Sequence, residues 1–207
     1  MGKLTHEQTN KIMELYAEGN SIKKIAKITR HTKQTIRKYL DKKPVINIPI
    51  VVNDKNDELV GEFLGLYAGD GSFFKDKNSH YAIRLHFCSE EYIFYNNLAD
   101  NVLIPMFGKK PAFQKYHNRM NLRYRSKNIY QFIKKHLSWE GTKKTYSVEL
   151  LDTNQSDEFK IGFIRGSVDS DGHFSNKAIS FASTSLGLMI NVSMFLNHFG
   201  FKNDIKS

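Results

Sequence analysis

The chain holds a single cysteine, Cys88, among its 207 residues. One thiol excludes an internal disulfide framework and fits a reducing compartment. The amino-terminal stretch lacks the apolar centre of a secretory signal, and no apolar run approaches the roughly 18 residues of a spanning helix. We therefore expect an intracellular protein with no membrane segment. Acidic residues are also scarce: 21 Asp and Glu stand against 31 Lys and Arg, a net charge of +10. That excess points toward a polyanionic partner, although a basic balance alone is weak evidence. What the chain does have is core material, with 40% hydrophobic and 13% aromatic residues. Global disorder is not expected, and the length suits one larger domain or an average one plus a small one.

The placement of charge says more than its sum. Residues 1–43 carry 11 Lys and Arg against 4 Asp and Glu, and residues 109–127 carry seven Lys and Arg with no acidic residue. Two separated basic surfaces suit a protein that lies along a nucleic acid. The first segment reads as three short helices. Thr5 and Gln8 form a capping box opening a helix over 5–18, with Ile12, Leu15 and Tyr16 on one face and Gly19 closing it. Ser21 caps a second helix carrying Ile22, Ile25 and Ala26. Thr32 caps a third, with Ile36, Tyr39 and Leu40 inward. Two short helices joined by a tight turn make the helix-turn-helix pattern. Arg30, Lys33, Gln34, Arg37 and Lys38 then become candidate DNA contacts, because Gln and Arg can read base edges while Lys suits phosphates. A solvated basic face on an ordinary three-helix fragment is the plainer alternative. The stretch "LTHEQTNKIMELYAEGNSIKKIAKITRHTKQTIRKYL" also resembles the helix-turn-helix of Hin-type DNA recombinases.

Residues 44–57, with Pro44, Pro49 and alternating β-branched residues, read as an extended linker. From residue 58 the pattern predicts helix, two strands, helix, two strands, helix, then helix again. Tyr81, Ile83, Leu85 and Phe87 alternate with Ala82, Arg84, His86 and Cys88. Residues 90–108 read as helical up to Pro105. Met120, Leu122 and Tyr124 alternate with Arg119, Asn121, Arg123 and Arg125 after a turn near His117-Asn118. These strands should share one apolar face for a core and one basic face for an anion.

The helix at 58–70 recurs 101 positions on, with Gly61, Gly65 and Gly69 matching Gly162, Gly166 and Ser170. Glycine in a helix interior costs about 1 kcal/mol against Ala. Small residues at every fourth position let two helix backbones approach closely, so the two stripes are expected to pack on each other. Asp70-Gly71 and Asp171-Gly172 follow at matching places. Gly71 and Gly172 stand where helix-stopping glycines belong, but they leave the carboxylates unexplained. Two carboxylates side by side at the negative ends of helices repel the dipoles and each other. A divalent cation resolves this, since two carboxylates and helix-terminal carbonyls make a hard oxygen site suited to Mg²⁺. A local capping role for either Asp is the bland alternative, and it does not predict both at one register.

"FLGLYAGDG" and "IRGSVDSDG" resemble the two LAGLIDADG motifs of the homing endonucleases, over residues 58–207. The resemblance implies an α+β fold, an αββαββα repeat whose antiparallel strands form a DNA-binding saddle with the motif helices as central interface. It implies metal-dependent hydrolysis of both DNA strands across the minor groove. Asp70 and Asp171 would be catalytic and metal-binding, with Gly69 and Ser170 offering ligating carbonyls and Mg²⁺ as cofactor. Lys144 or Lys143 in "EGTKKT" would serve the water or phosphate, although a solvated loop lysine reads nearly as well. Arg84, His86, Arg119, Arg123, Arg125 and Lys127 would contact double-stranded DNA from the first half. The first motif departs in having Ala68 where an acidic residue is common. The second repeat stops early, with no second strand pair or closing helix. A shortened chain, a natural truncation and a degenerating element all fit that ending. The expected organisation is a helix-turn-helix over 1–43, a linker over 44–57, a first repeat over 58–155 and an incomplete second repeat over 156–207. A site-specific double-strand endonuclease of the homing type is the leading expectation. It acts as a monomer, with self-association if the second repeat is incomplete. A DNA-binding transcriptional regulator or inactive remnant on the same fold is the alternative. An RNA maturase is disfavoured by the helix-turn-helix, and an intein by the absence of splice-junction residues.

Overall fold

Thr5 caps the first helix in a computed structural model that describes residues 4–40, 50–75, 81–175 and 178–206. Its hydroxyl accepts from the Gln8 amide and the Gln8 side chain accepts from Thr5 N, so the capping box predicted from the sequence is present. Helix α1 runs His6–Ala17, α2 Ile22–Thr29 and α3 Lys33–Leu40. Gly19 takes the left-handed φ of 81° that closes α1, and Arg30 takes a φ of 55° between α2 and α3. Ile12, Leu15, Ile25, Ile36 and Leu40 form a small core, with Ala26 beside it. The chain divides into two units, Met1–Ile48 and Pro49–Ser207. The boundary expected at 43–44, and most of the linker before residue 50, lie outside the described residues. The remainder of that linker lies along the second unit: Ile50 and Val52 pack on its core and Asn53 N donates to Met106 O at 2.7 Å.

In the second unit α4 (Asp57–Asp70) leads directly into β1 (Gly71–Lys75), and β2 (Tyr81–Cys88) returns antiparallel. A helical run follows, made of a 3₁₀ turn at Ser89–Glu91, α5 (Tyr92–Leu98), a π turn at Ala99–Leu103 and α6 (Ile104–Phe107). The sequence pattern ended this helix at Pro105, whereas the helix continues past it. The π turn has already broken the α ladder there, so the missing proline N–H costs little. Strands β3 (Ala112–Tyr116) and β4 (Arg119–Tyr124) meet in a two-residue hairpin in which His117 has a φ of 52°. The sheet order is β1-β2-β4-β3, antiparallel throughout. Helix α7 (Lys127–His136) closes the first repeat, then β5 (Leu137–Ser138), α8 (Lys144–Ser147) and β6 (Glu149–Leu150) connect to the second.

Helix α9 (Asp157–Asp171) opens the second repeat, followed by β7 (Gly172–Phe174), β8 (Ile179–Phe181) and α10 (Leu186–His198). The glycine stripes face each other as expected. A Cβ on Gly61 would overlap the Phe159 carbonyl, and one on Gly65 the Phe163 carbonyl. From the other side, Gly162 sits on the Glu58 carbonyl and Gly166 on the Glu62 carbonyl. The helices therefore run parallel and touch backbone to backbone. Ser156 Oγ donates to Asp57 Oδ2 at 2.7 Å, tying their N-terminal ends. Arg165 on α9 reaches Glu58 at 2.6 Å and Glu62 at 3.0 Å on α4.

The two halves differ in cover. Phe73 of β1 stacks on Tyr130 of α7 with ring centroids 4.2 Å apart. Its counterpart Phe174 is exposed, as is the cross-strand neighbour Ile179. Among the described residues the second half has no counterpart of β3, β4 and α7.

Candidate active site

Asp70 and Asp171 are the last residues of α4 and α9. Because the helices are parallel and in glycine register, the two carboxylates arrive together: a Cβ on Gly69 would meet the Ser170 hydroxyl and Asp171 Oδ2. The following glycines do not act as left-handed caps. Gly71 has a φ of −76° and Gly172 of −86°, both extended. Each is required by space, since a Cβ would strike the Tyr67 carbonyl and ring in one case and the Val168 carbonyl in the other. Helix gives way to strand without a loop, which fixes the height of each carboxylate.

Burial pushes the Asp70 carboxyl up to about 6, and Asp171 and Glu91 push in the same direction while Tyr95 and Lys144 oppose. Asp171, more open to solvent, is also raised by partial desolvation and lowered in part by Lys144. Lys144, at the start of α8, is the third central group. Its ammonium donates to the carbonyls of Tyr67 at 2.9 Å, of Ala68, and of Gly69 at 3.2 Å. These carbonyls belong to the last turn of α4, where Tyr67 O also accepts from Gly71 N, so the cation offsets the helix dipole there as well as the carboxylates. Burial lowers Lys144 to about 8, with Asp171 and Asp70 holding it from falling further. Lys143, the other lysine named from the sequence, is exposed beside it. The Ser170 hydroxyl donates to Ser167 O at 2.9 Å.

Two groups escaped the sequence reading. Tyr95 of α5 donates to Asp70 Oδ2 at 2.7 Å. In "YIFYNNL" it passes for one more core aromatic, and nothing local shows where its hydroxyl goes. Burial and the Asp70 carboxylate hold its phenol above the ordinary tyrosine range, so it stays a donor. Arg165 was likewise unassigned, and its partners lie more than a hundred residues away.

The basic face of the sheet forms as the alternation predicts. Arg84 pairs across with Arg123, His86 with Asn121, and Cys88 with Arg119. Ser72 of β1 lies opposite Arg84 and bonds His86 Nε2 at 2.6 Å. His86 is lowered by burial and by Arg84, Arg119 and Lys144, and Arg123 by burial, Arg125 and Arg84. A face whose cations depress one another is prepared for an anion. Arg125 follows β4, and Lys127 begins α7 behind the Ser126 cap, both exposed. In the first unit Arg30, Lys33, Gln34, Arg37 and Lys38 are all exposed.

The chemistry available is thus two adjacent carboxylates, one lysine and a cationic sheet face. Among the described residues no cluster of three or more His, Cys, Asp and Glu side chains could hold a metal. The donor set that does fit a cation is the raised Asp70–Asp171 pair with nearby carbonyls, completed by water or phosphate.

Solved structures of the homing endonuclease I-DmoI match this architecture. A set of its mesophilic variants shares 23% identity and covers 72% of this chain and 81% of that one, with a TM-score of 0.55. The complex of I-DmoI with DNA and Mn shares 23% identity, covering 73% and 83%, with a TM-score of 0.56. The complex with DNA and Ca shares 22%, covering 73% and 78%, with a TM-score of 0.54. The chain carries the LAGLIDADG fold. Residues 158–207 match the model of a LAGLIDADG-like domain, and residues 2–43 match the helix-turn-helix domain of resolvase. Both resemblances drawn from the sequence are thereby borne out. Comparison with curated proteins gives no match. Within the LAGLIDADG fold the glycine-faced pair α4 and α9 is the centre, and Asp70, Asp171, Lys144 and Tyr95 are gathered at its C-terminal end.

Proposed function

We propose that this chain is a site-specific DNA endonuclease of the homing type, with Asp70 and Asp171 holding a divalent cation, Mg²⁺. The observation that carries the reading is the delivery of two raised carboxylates to one point beside a cationic sheet face. The fold supports it: two of the I-DmoI structures of the same fold are complexes with DNA and with Mn or Ca. A divalent cation bound there would polarise a water and a phosphate oxygen. The chain's own residues do the rest. Asp70 and Asp171 supply the hard anionic oxygens. Gly69 and Ser170 can add carbonyls, although the Gly69 carbonyl already accepts from Lys144. Lys144 keeps its proton on Nζ near neutral pH, anchors the end of α4 and places a positive charge where a phosphate would arrive. Arg84, His86, Arg119, Arg123 and Arg125 bind the duplex along the sheet, and Lys127 joins them from the start of α7. Arg30, Lys33, Gln34, Arg37 and Lys38 add contacts from the helix-turn-helix.

Both carboxylates come from one chain, so the site needs no second copy of it. DNA as substrate agrees with an intracellular location. A regulator that binds DNA without cutting it is the second reading, since the helix-turn-helix and the cationic sheet face would serve binding without any cleavage.

Incubation of the full chain with its gene's own flanking duplex and Mg²⁺ tests the proposal, with Asp70→Asn and Asp171→Asn alongside. Metal-dependent cuts lost in both variants are expected. Sequence-selective binding with no cut in Mg²⁺, Mn²⁺ or Ca²⁺ would leave the regulator.

A further inference from the structure

The two carboxylates at the centre are not held alike. Tyr95 is fully buried, and its ring stacks on Phe87 of β2 at 4.1 Å with only 13° between planes. Phe94 meets it edge-on at 5.2 Å. A ring pinned on two sides cannot swing, so its hydroxyl points at one place, and Asp70 Oδ2 occupies that place at 2.7 Å. Asp171 has no side-chain hydrogen-bond donor among the described residues. The second half cannot supply one at the matching position. Aligning Phe87-Cys88-Ser89 with Phe181-Ala182-Ser183 sets Met189 against Tyr95. Aligning the buried faces of α5 and α10 instead sets Leu188 there. Neither side chain donates a hydrogen bond.

We infer that Tyr95 is a positioning residue, which holds Oδ2 of Asp70 so that Oδ1 is presented to the divalent cation, while Asp171 is left to orient itself. The inference rests on the reading of Asp70 and Asp171 as metal ligands. Groups that orient metal-binding carboxylates from behind typically matter about 10- to 100-fold in affinity. One carboxylate locked and one free makes the site asymmetric, with the Asp70 side the better organised.

The test is a Mn²⁺ titration of the full chain, following free Mn²⁺ by electron paramagnetic resonance, in wild type, Tyr95→Phe and Asp70→Asn. Tyr95→Phe keeps every ring contact and removes only the hydroxyl, and thermal denaturation checks that it folds. If it does not fold, Tyr95→Met replaces it, Met being the residue that one of the two alignments places there in the second half. The expected result is Mn²⁺ binding weakened about tenfold by the Tyr95 variant and lost in Asp70→Asn. Unchanged Mn²⁺ affinity in the Tyr95 variant, with Asp70→Asn still defective, overturns the positioning role and leaves the metal site standing. Equal binding by wild type and Asp70→Asn shows instead that Asp70 is no ligand, which sinks the site reading and this inference together.

Discussion

Asp70 is charged at neutral pH only against resistance. Its carboxyl titrates near 6 in the fold against 3.8 for the ordinary value, because burial and neighbouring Asp171 disfavour the anion. A raised acid binds its proton more tightly in the folded state, so its penalty is complete above about 6 and gone below 3.8. Asp70→Asn removes that penalty while keeping an acceptor for Tyr95. The variant should be more stable than wild type at pH 7.5 by about 1–3 kcal/mol, from a shift of about two units. The gain should shrink as pH falls through 6 and vanish below 3.8, which urea titrations of both proteins at several pH values will read. Such a gain would fit a carboxylate kept for the cation proposed above rather than for the fold. Lys144 shows the complementary logic: its ammonium is partly desolvated, yet three carbonyls and two carboxylates hold it in place.

Helices α4 and α9 owe their contact to four glycines whose hydrogens lie on opposing carbonyls. A methyl group at Gly65 or Gly162 has nowhere to go, since the obstacle is backbone and cannot rotate away. Gly65→Ala and Gly162→Ala should each cost about 1–3 kcal/mol or more, and should abolish any joint action of Asp70 and Asp171 by separating the helix ends. The midpoint of chemical denaturation measures the first effect and the cleavage assay the second. The sheet is subject to a different kind of test. Arg123 sits between Arg84 and Arg125 on the outer face, depressed by both. Arg123→Ala should leave thermal stability nearly unchanged and lower DNA affinity. The slope of log affinity against log salt should shrink by about 0.9 if the side chain neutralises one phosphate. An unchanged slope would take Arg123 off the DNA.

The whole molecule joins two units with separate cores, one around Ile25 and Ile36 and one around α4, α9 and the four-stranded sheet. Residues 49–207 expressed alone should therefore keep their cooperative unfolding transition, while losing the salt-dependent share of DNA binding proposed for α3. Circular dichroism melting and a salt titration of binding distinguish these outcomes. Within the second unit the exposed Phe174 and Ile179, and the exposed Leu186, Ile190 and Met194 of α10, make the later half the weaker one. Native hydrogen exchange should find β7 and β8 opening well before β2 and β4.

Local chemistry determined much of this protein unaided. Capping box, strand alternation, glycine stripe and the Asp-Gly pair repeated at one register leave their mark in the residue types themselves, so helix ends, packing faces and the meeting of the two carboxylates could be read in order. Pro105 misled because a π turn upstream altered what a proline costs. Gly71 and Gly172 were right in place and different in reason, since steric room in a packed helix end leaves no mark distinct from a turn. What only the tertiary structure decided was partnership across distance. Tyr95 reaches Asp70 from 25 residues away, Lys144 caps α4 from about 75, and Arg165 spans more than a hundred to Glu58 and Glu62. A hydroxyl or an ammonium carries no record in its own neighbourhood of the oxygen it will meet, because that meeting depends on where the whole backbone has placed both.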